Sequence, residues 1–165
     1  MVYWYRFTGK VEAMTDTSVL RISEASSLAL HTTVLMAGEP GKRLSAGEMA
    51  SRLKVSRAHL EKVLQRLAKA GLVEAVRGRG GGFVLRRAPE KVALLTVYEA
   101  IEGKLPKSKC LMGKPVCEGK YCLLGGLLGT VDTWFRAYLS GTRLSQLGGV
   151  YGGDHASASD YRHNR

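Results

Sequence analysis

The sequence predicts a mainly α-helical protein with a small β-hairpin: a winged helix-turn-helix domain followed by a long dimerisation helix. Three stretches carry that prediction. Two short helical segments lie about two residues apart between Leu44 and Gly71. Two β-prone runs, Leu72–Val76 and Phe83–Leu85, flank the turn Arg77-Gly78-Arg79-Gly80-Gly81-Gly82. An apolar stripe then runs from Leu124 to Tyr138 at helical spacing.

Taken in order, residues 1–18 have no hydrophobic period and are expected to form a disordered arm. A DNA-binding domain is expected over residues 19–103. It opens with a buried helix in which Leu28, Ala29, Leu30, Val34, Leu35 and Ala37 recur, ended near Gly38-Glu39-Pro40-Gly41. Ser45-Ala46-Gly47-Glu48 has the capping-box form, a hydroxyl for one free amide and a carboxylate for another. A second helix starts at Ser56, where Leu60, Val63, Leu64 and Leu67 fall at i, i+3, i+4 and i+7. Gly71 stands where a left-handed helix end is wanted. The short gap between the helices is that of a helix-turn-helix, and the Gly-rich turn is that of a hairpin. Thr96-Val97-Tyr98-Glu99 reads as another capping box, opening a helix that stops at Gly103. Residues 104–122 form a loop with all three cysteines. Over 123–147, Leu124, Leu127, Leu128, Val131, Phe135 and Tyr138 line one helix to about Leu139, with Trp134 beside them. Such a stripe is either intramolecular core or a dimer seam, and its place at the far end of a small domain favours the seam. From Gly148 to Arg165 no hydrophobic period remains, and a disordered tail is expected.

The chain carries 25 Lys and Arg against 14 Asp and Glu, a net charge of +11. Twelve of those cations and four of the anions lie between Lys42 and Glu90, so +8 of the excess sits on the helix-turn-helix and hairpin. On a wheel set by Leu60 and Leu64, the side chains of Ala58, Lys62, Gln65 and Lys69 point away from the core. A basic outward helix face and an arginine-tipped hairpin together point to double-stranded DNA as the partner. No apolar run approaches the ~18 residues of a membrane span. Met1–Phe7 is too short and too soon interrupted for an export signal, so a reducing cytoplasm is expected. An enzyme is not expected: there is no dinucleotide fingerprint, no P-loop, no Ser/His/Asp set and no paired-carboxylate constellation.

Cys110, Cys117 and Cys122 place three thiols within thirteen residues of a Gly-, Lys- and Pro-containing loop. Flexible backbone lets several sulfurs converge on one centre, and Lys107, Lys109, Lys114 and Lys120 favour thiolate over thiol. The gaps of six and four residues are not those of zinc knuckles, and thiolate-held iron–sulfur clusters suit longer loops. Spacing leaves an iron–sulfur cluster, a zinc site and a thiol switch open.

The helix from Arg21-Ile22-Ser23-Glu24, the helix-turn-helix, the wing Val76–Leu85, the helix Val97–Ile101 and the cysteine loop together resemble the Rrf-two family. These are bacterial winged-helix transcription regulators that include the iron–sulfur cluster regulator and the nitric-oxide-sensitive repressor. The resemblance runs from about Leu20 to Leu147. It implies a homodimer with a crossing helix at 124–139, and a repressor whose operator affinity follows the state of a redox- or nitric-oxide-sensitive cluster. Ser56, Arg57, Ala58, His59, Glu61 and Lys62 match the start of the family's recognition helix, with Glu61 at the position of a glutamate that discriminates bases. Arg77 matches an arginine that enters the minor groove, and Arg79 stands where the family varies. Cys110, Cys117 and Cys122 match the cluster ligands. Two departures concern the fourth ligand. Gly125 stands where the cluster regulator has a histidine, and Ser27 where the nitric-oxide repressor has a carboxylate. Glu24, His31 and Glu118 are the candidates to replace them, and the cluster is either 2Fe–2S or 4Fe–4S.

Overall fold

The computed structural model describes residues 22–105, 124 and 126–151. Helix α1 spans Glu24–Ala37, α2 Ala46–Leu53 and α3 Arg57–Lys69. The hairpin β1 (Val73–Val76) and β2 (Gly82–Leu85) follows, then α4 (Leu94–Glu102) and α5 (Leu127–Gly141). Short 3-10 turns at Pro89–Lys91, Leu144–Gln146 and Gly148–Tyr151 complete the described chain.

Each helix has a local reason to begin and end where it does. Ser23 caps α1, its hydroxyl accepting the Ser26 amide at 3.1 Å, and Ser45 does the same for Glu48 at 3.1 Å. After α2, Lys54 takes a left-handed conformation (φ 55°), which turns the chain sharply into α3. Ser56 occupies the cap position of α3 in extended geometry, but its side chain makes no capping bond. The end of α3 is closed through Gly71 (φ +71°), which lets the Leu72 amide reach the Leu67 carbonyl at 3.0 Å.

The hairpin is antiparallel, pairing Val73 with Leu85 and Val76 with Gly82. A third rung joins it: Leu44, just before α2, exchanges both backbone bonds with Phe83 (3.0 and 2.8 Å). This approach requires glycine at position 82, where a Cβ would lie 2.7 Å from the Leu44 carbonyl oxygen. The wing is thereby fastened to the helix-turn-helix by main chain rather than by side chains alone.

One core holds the domain together. Leu28, Ala29 and Leu35 of α1 meet Met49 of α2, the four-residue stripe of α3, Val73 of β1 and Val97 of α4. Leu144, from beyond α5, is also fully buried in it. Its segment returns alongside the start of α4, with Leu94 donating to Thr142 and Leu144 to Val92, both at 3.0 Å.

Three expectations are corrected. Helix α4 begins at Leu94 with no side-chain cap, so Thr96 lies within the helix rather than capping it. Burying Leu94 outweighs a hydroxyl cap two residues later. The chain from Gly148 to Tyr151 is a 3-10 turn packed on α1, not a tail without structure. Gly38 and Gly148 cross so closely that a Cβ on Gly38 would collide with the Gly148 carbonyl, and Tyr151 reaches His31. Finally, the stripe of α5 divides between two faces. Phe135 and Leu139 are buried, with Phe135 meeting Tyr98 edge-on at 5.7 Å, while Leu127, Trp134 and Tyr138 are exposed.

The Thr33 hydroxyl donates to the Ala29 carbonyl at 3.0 Å, whereas the fully buried Thr32 hydroxyl has no partner among the described residues. Thr32→Val keeps the shape and removes the orphan group, so it should stabilise the protein by about 1 kcal/mol. Thermal unfolding checks this: a lower midpoint than wild type would mean that the hydroxyl is satisfied.

Candidate nucleic-acid interface

Helix α3 sends its apolar stripe inward and so must present the opposite side. Arg57, Ala58, Lys62, Gln65 and Lys69 are all exposed there. Arg57 reaches back along the helix, its Nε donating to Glu61 Oε1 at 2.8 Å. It also stands beside the first turn of α2, where a Cβ on Gly47 would be 3.9 Å from its guanidinium. Arg57 and Glu61 thus form one donor–acceptor unit at the start of α3. His59 is partly covered and turns toward α1, its Nδ1 3.2 Å from the Glu24 carboxylate. Ser56 is exposed at the mouth of the turn.

The wing tip brings Arg77 and Arg79 into solvent between Gly78 (φ +101°) and Gly80 (φ +75°). Those conformations are open to glycine at no steric cost and strained for other residues. Gly81 closes the turn by donating to the Gly78 carbonyl at 2.9 Å. Among the described residues, Lys62, Lys69, Arg77 and Arg79 have no ion-pair partner, which leaves them available for phosphates. Lys42 and Arg52 differ, since both bind Glu39; the Lys42 ammonium and then the Arg52 guanidinium hold its carboxyl below the usual range.

A second region lies behind this face. Glu24, Ser27 and His31 of α1 line a cleft of about 270 Å³ with Arg52, Lys54 and Tyr151. Glu24 keeps most of its side chain in solvent, whereas His31 Nδ1 is hydrogen-bonded to the Tyr151 hydroxyl, whose pKa burial pushes up. Cys110, Cys117, Cys122, Glu118 and Gly125 lie outside the described residues. Two residues that sequence reasoning missed tie the helices together. Arg66 of α3 donates to the Ile101 carbonyl at the end of α4, and Glu102 accepts from the hydroxyls of Ser23 and Ser26. Those two hydroxyls hold the Glu102 carboxyl below its usual value. Its stabilisation is therefore present above the unfolded carboxylate pKa and is lost as pH falls through the lower folded value. Neither residue sits in a recognisable pattern, so no sequence signal marks them.

A family model described as iron-dependent transcriptional regulator, Rrf2, matches residues 22–149. The chain belongs to the Rrf2 family. Among Rrf2-type relatives, the HTH-type transcriptional regulator IscR of Aliivibrio salmonicida is 34% identical over 101 residues, 61% of this chain and 60% of that protein. The HTH-type transcriptional regulator NsrR of Bacillus subtilis is 30% identical over 118 residues, 66% of this chain and 80% of that protein. The chain spans about half to three-fifths of the length of the first curated relatives it matches. Solved structures agree on the fold. CymR, the global cysteine regulator of B. subtilis, gives a TM-score of 0.68 at 23% identity, covering 79% of this chain and 98% of that one. IscR of T. potens gives 0.63 at 23% identity, covering 80% and 89%. The mainly helical winged-helix architecture is thus that of the family, and the relatives' names are those of regulators rather than enzymes. No helix among the described residues is long and apolar enough to cross a membrane.

Proposed function

We propose that this Rrf2-family regulator is a DNA-binding repressor that acts as a homodimer under the control of an iron–sulfur cluster. The observation that carries the DNA-binding part is the joint exposure of α3's basic face and the wing-tip arginines on a wing pinned by Leu44. In this reading Arg57 and Glu61 read base edges, with Ser56 and Ala58 beside them at the start of the helix, while His59, turned toward Glu24 of α1, holds the helix in place rather than reading a base. Lys62, Arg77 and Arg79 bind phosphates, and Arg77 also reaches the minor groove.

The donor chemistry fits the cluster. Cys110, Cys117 and Cys122 supply three thiolates, and the family is one described as iron-dependent regulators. Glu24 supports a fourth contact best, because most of its side chain lies in solvent at the cleft even though its Oε1 meets His59, whereas His31 Nδ1 is taken by Tyr151. Glu118 is the alternative within the loop. Bound there, a 2Fe–2S or 4Fe–4S cluster would supply iron that reacts with oxidants or nitric oxide. Anaerobic purification followed by absorbance, iron and sulfide measurement tests this: a brown protein with matching iron and sulfide supports it, and a colourless zinc protein refutes it.

The dimer part rests on α5. Leu127, Val131, Trp134 and Tyr138 follow one another at steps of four, three and four, the spacing of a two-helix seam. Two such protomers present two recognition helices to a roughly palindromic operator.

Glu61→Ala should relax discrimination at one base pair by about 1–3 kcal/mol. Lys62→Ala should instead weaken all sequences alike and lower the salt slope by about one unit. Competition binding against single-base operator variants separates the two; a wild-type selectivity profile for Glu61→Ala would remove it as a reader.

A further inference from the structure

We propose that the last turn of α4 is the joint through which the 104–122 segment positions the recognition helix, with Arg66 and Glu102 as the positioning residues. The inference rests on the reading that this segment is the regulated part of the protein.

Three sets of bonds converge on residues 101–105. The last carbonyls of a helix have no partner within it. That of Ile101 is taken by Arg66, which belongs to α3 itself. One residue on, the Glu102 carboxylate receives the hydroxyls of Ser23 and Ser26 at the start of α1. Ser26 is fully buried, so Glu102 is its means of satisfying a hydroxyl that water does not reach. Glu24, between those serines, meets His59 on α3 at 3.2 Å. The end of α4 therefore reaches the recognition helix twice, once directly and once through the first turn of α1.

On the other side, Gly103 (φ +82°) turns the chain so that Leu105 comes back against the helices. The Leu105 amide donates to Glu99 of α4 at 3.4 Å, and its carbonyl accepts from Arg136 of α5 at 3.2 Å. Leu105 is thus held by α4 and by the helix proposed as the dimer seam, three residues beyond the Glu102 contact. A pull passed along the chain through Leu105 acts on these bonds. The hydrogen bonds are directional and few, while the core beneath them is close-packed. A change in the segment is therefore passed on as a shift of α3 relative to α1 rather than absorbed locally.

A structural role alone would alter binding equally in both states of the protein, whereas a joint alters the ratio between them. The test measures affinity for a palindromic DNA duplex, selected from a random pool on the wild-type protein, at one fixed salt concentration. Cluster-loaded protein and the same protein stripped of iron by a chelator are compared, with amide exchange across residues 60–67 as a second readout. Wild type should show a ratio of about tenfold between the two forms. Arg66→Met and Glu102→Ala should bring that ratio within about twofold of one while the cluster's absorbance is retained. Their exchange difference in α3 should vanish as well. Arg66→Lys and Glu102→Gln, which keep a donor and an acceptor, should restore the ratio and serve if the larger changes impair folding. A wild-type ratio in Arg66→Met and Glu102→Ala overturns the joint. Equal binding by both forms of the wild type overturns the regulatory reading itself, and the joint with it.

Discussion

Leu64→Ala should destabilise the protein by about 2–5 kcal/mol, the range for removing most of a buried leucine and leaving a cavity. Leu64 has no exposed surface and lies in the middle of the stripe through which α3 contacts the rest of the core. Small domains have a net stability of roughly 5–15 kcal/mol, so the loss takes a large fraction of the total. DNA binding should fail as the unfolded fraction rises, although no DNA-facing group has changed. Gln65→Ala, at the exposed neighbouring position, should stay within about 0.5 kcal/mol of wild type. Denaturant unfolding followed by circular dichroism compares the two; a cost below 1 kcal/mol for Leu64→Ala would mean that α3 is held mainly by its polar ties.

Trp134→Glu should leave the protomer as stable as wild type and convert the proposed dimer to monomer. Trp134 is 63% exposed and stacks on Tyr138 at 5.8 Å, on the face of α5 turned away from α4. A charge there meets water in the monomer but a second apolar helix in the dimer. Linking two DNA-binding units typically adds a factor of about 10²–10⁴ to affinity, so operator binding should fall by at least about a hundredfold. Phe135→Ala makes the opposite case, costing each protomer about 3–5 kcal/mol because that ring is buried against Tyr98. Sedimentation, unfolding and operator titration on both variants separate the two faces. A dimeric Trp134→Glu protein would move the interface elsewhere.

These paired effects bear on how much could be read from the sequence. Periodicity and turn chemistry placed the interiors of the five helices and the hairpin, because Leu60, Val63, Leu64 and Leu67 can share a face only in a helix, and Arg77–Gly81 can only be a turn. They missed the 3-10 turn at Gly148–Tyr151. Periodicity could not separate the two faces of α5. Phe135 and Tyr138 are equally apolar on paper, and what distinguishes them is the position of α4. Helix starts were legible where a serine bonds to the backbone, at Ser45, and misleading at Thr96, where burial of Leu94 decided the matter. The outward basic residues of the recognition helix and wing were legible because amphipathic spacing dictates them. The inward turn of His59 toward Glu24 was not, since it depends on where α1 packs. Arg66 and Glu102 look like ordinary surface charges until α4 brings Ile101 and the serines of α1 within reach.

The crossing of Gly38 and Gly148 sets an order on the protein's folding as it is synthesised. The N-terminal helix is among the first described elements to leave the ribosome, yet part of its covering comes from Leu144, Gly148 and Tyr151, more than a hundred residues later. Local helices and the hairpin can form as they emerge, but a contact of that sequence separation has to wait for its second half. A nascent chain therefore cannot finish covering α1 before it also carries α5 and the turns that follow it.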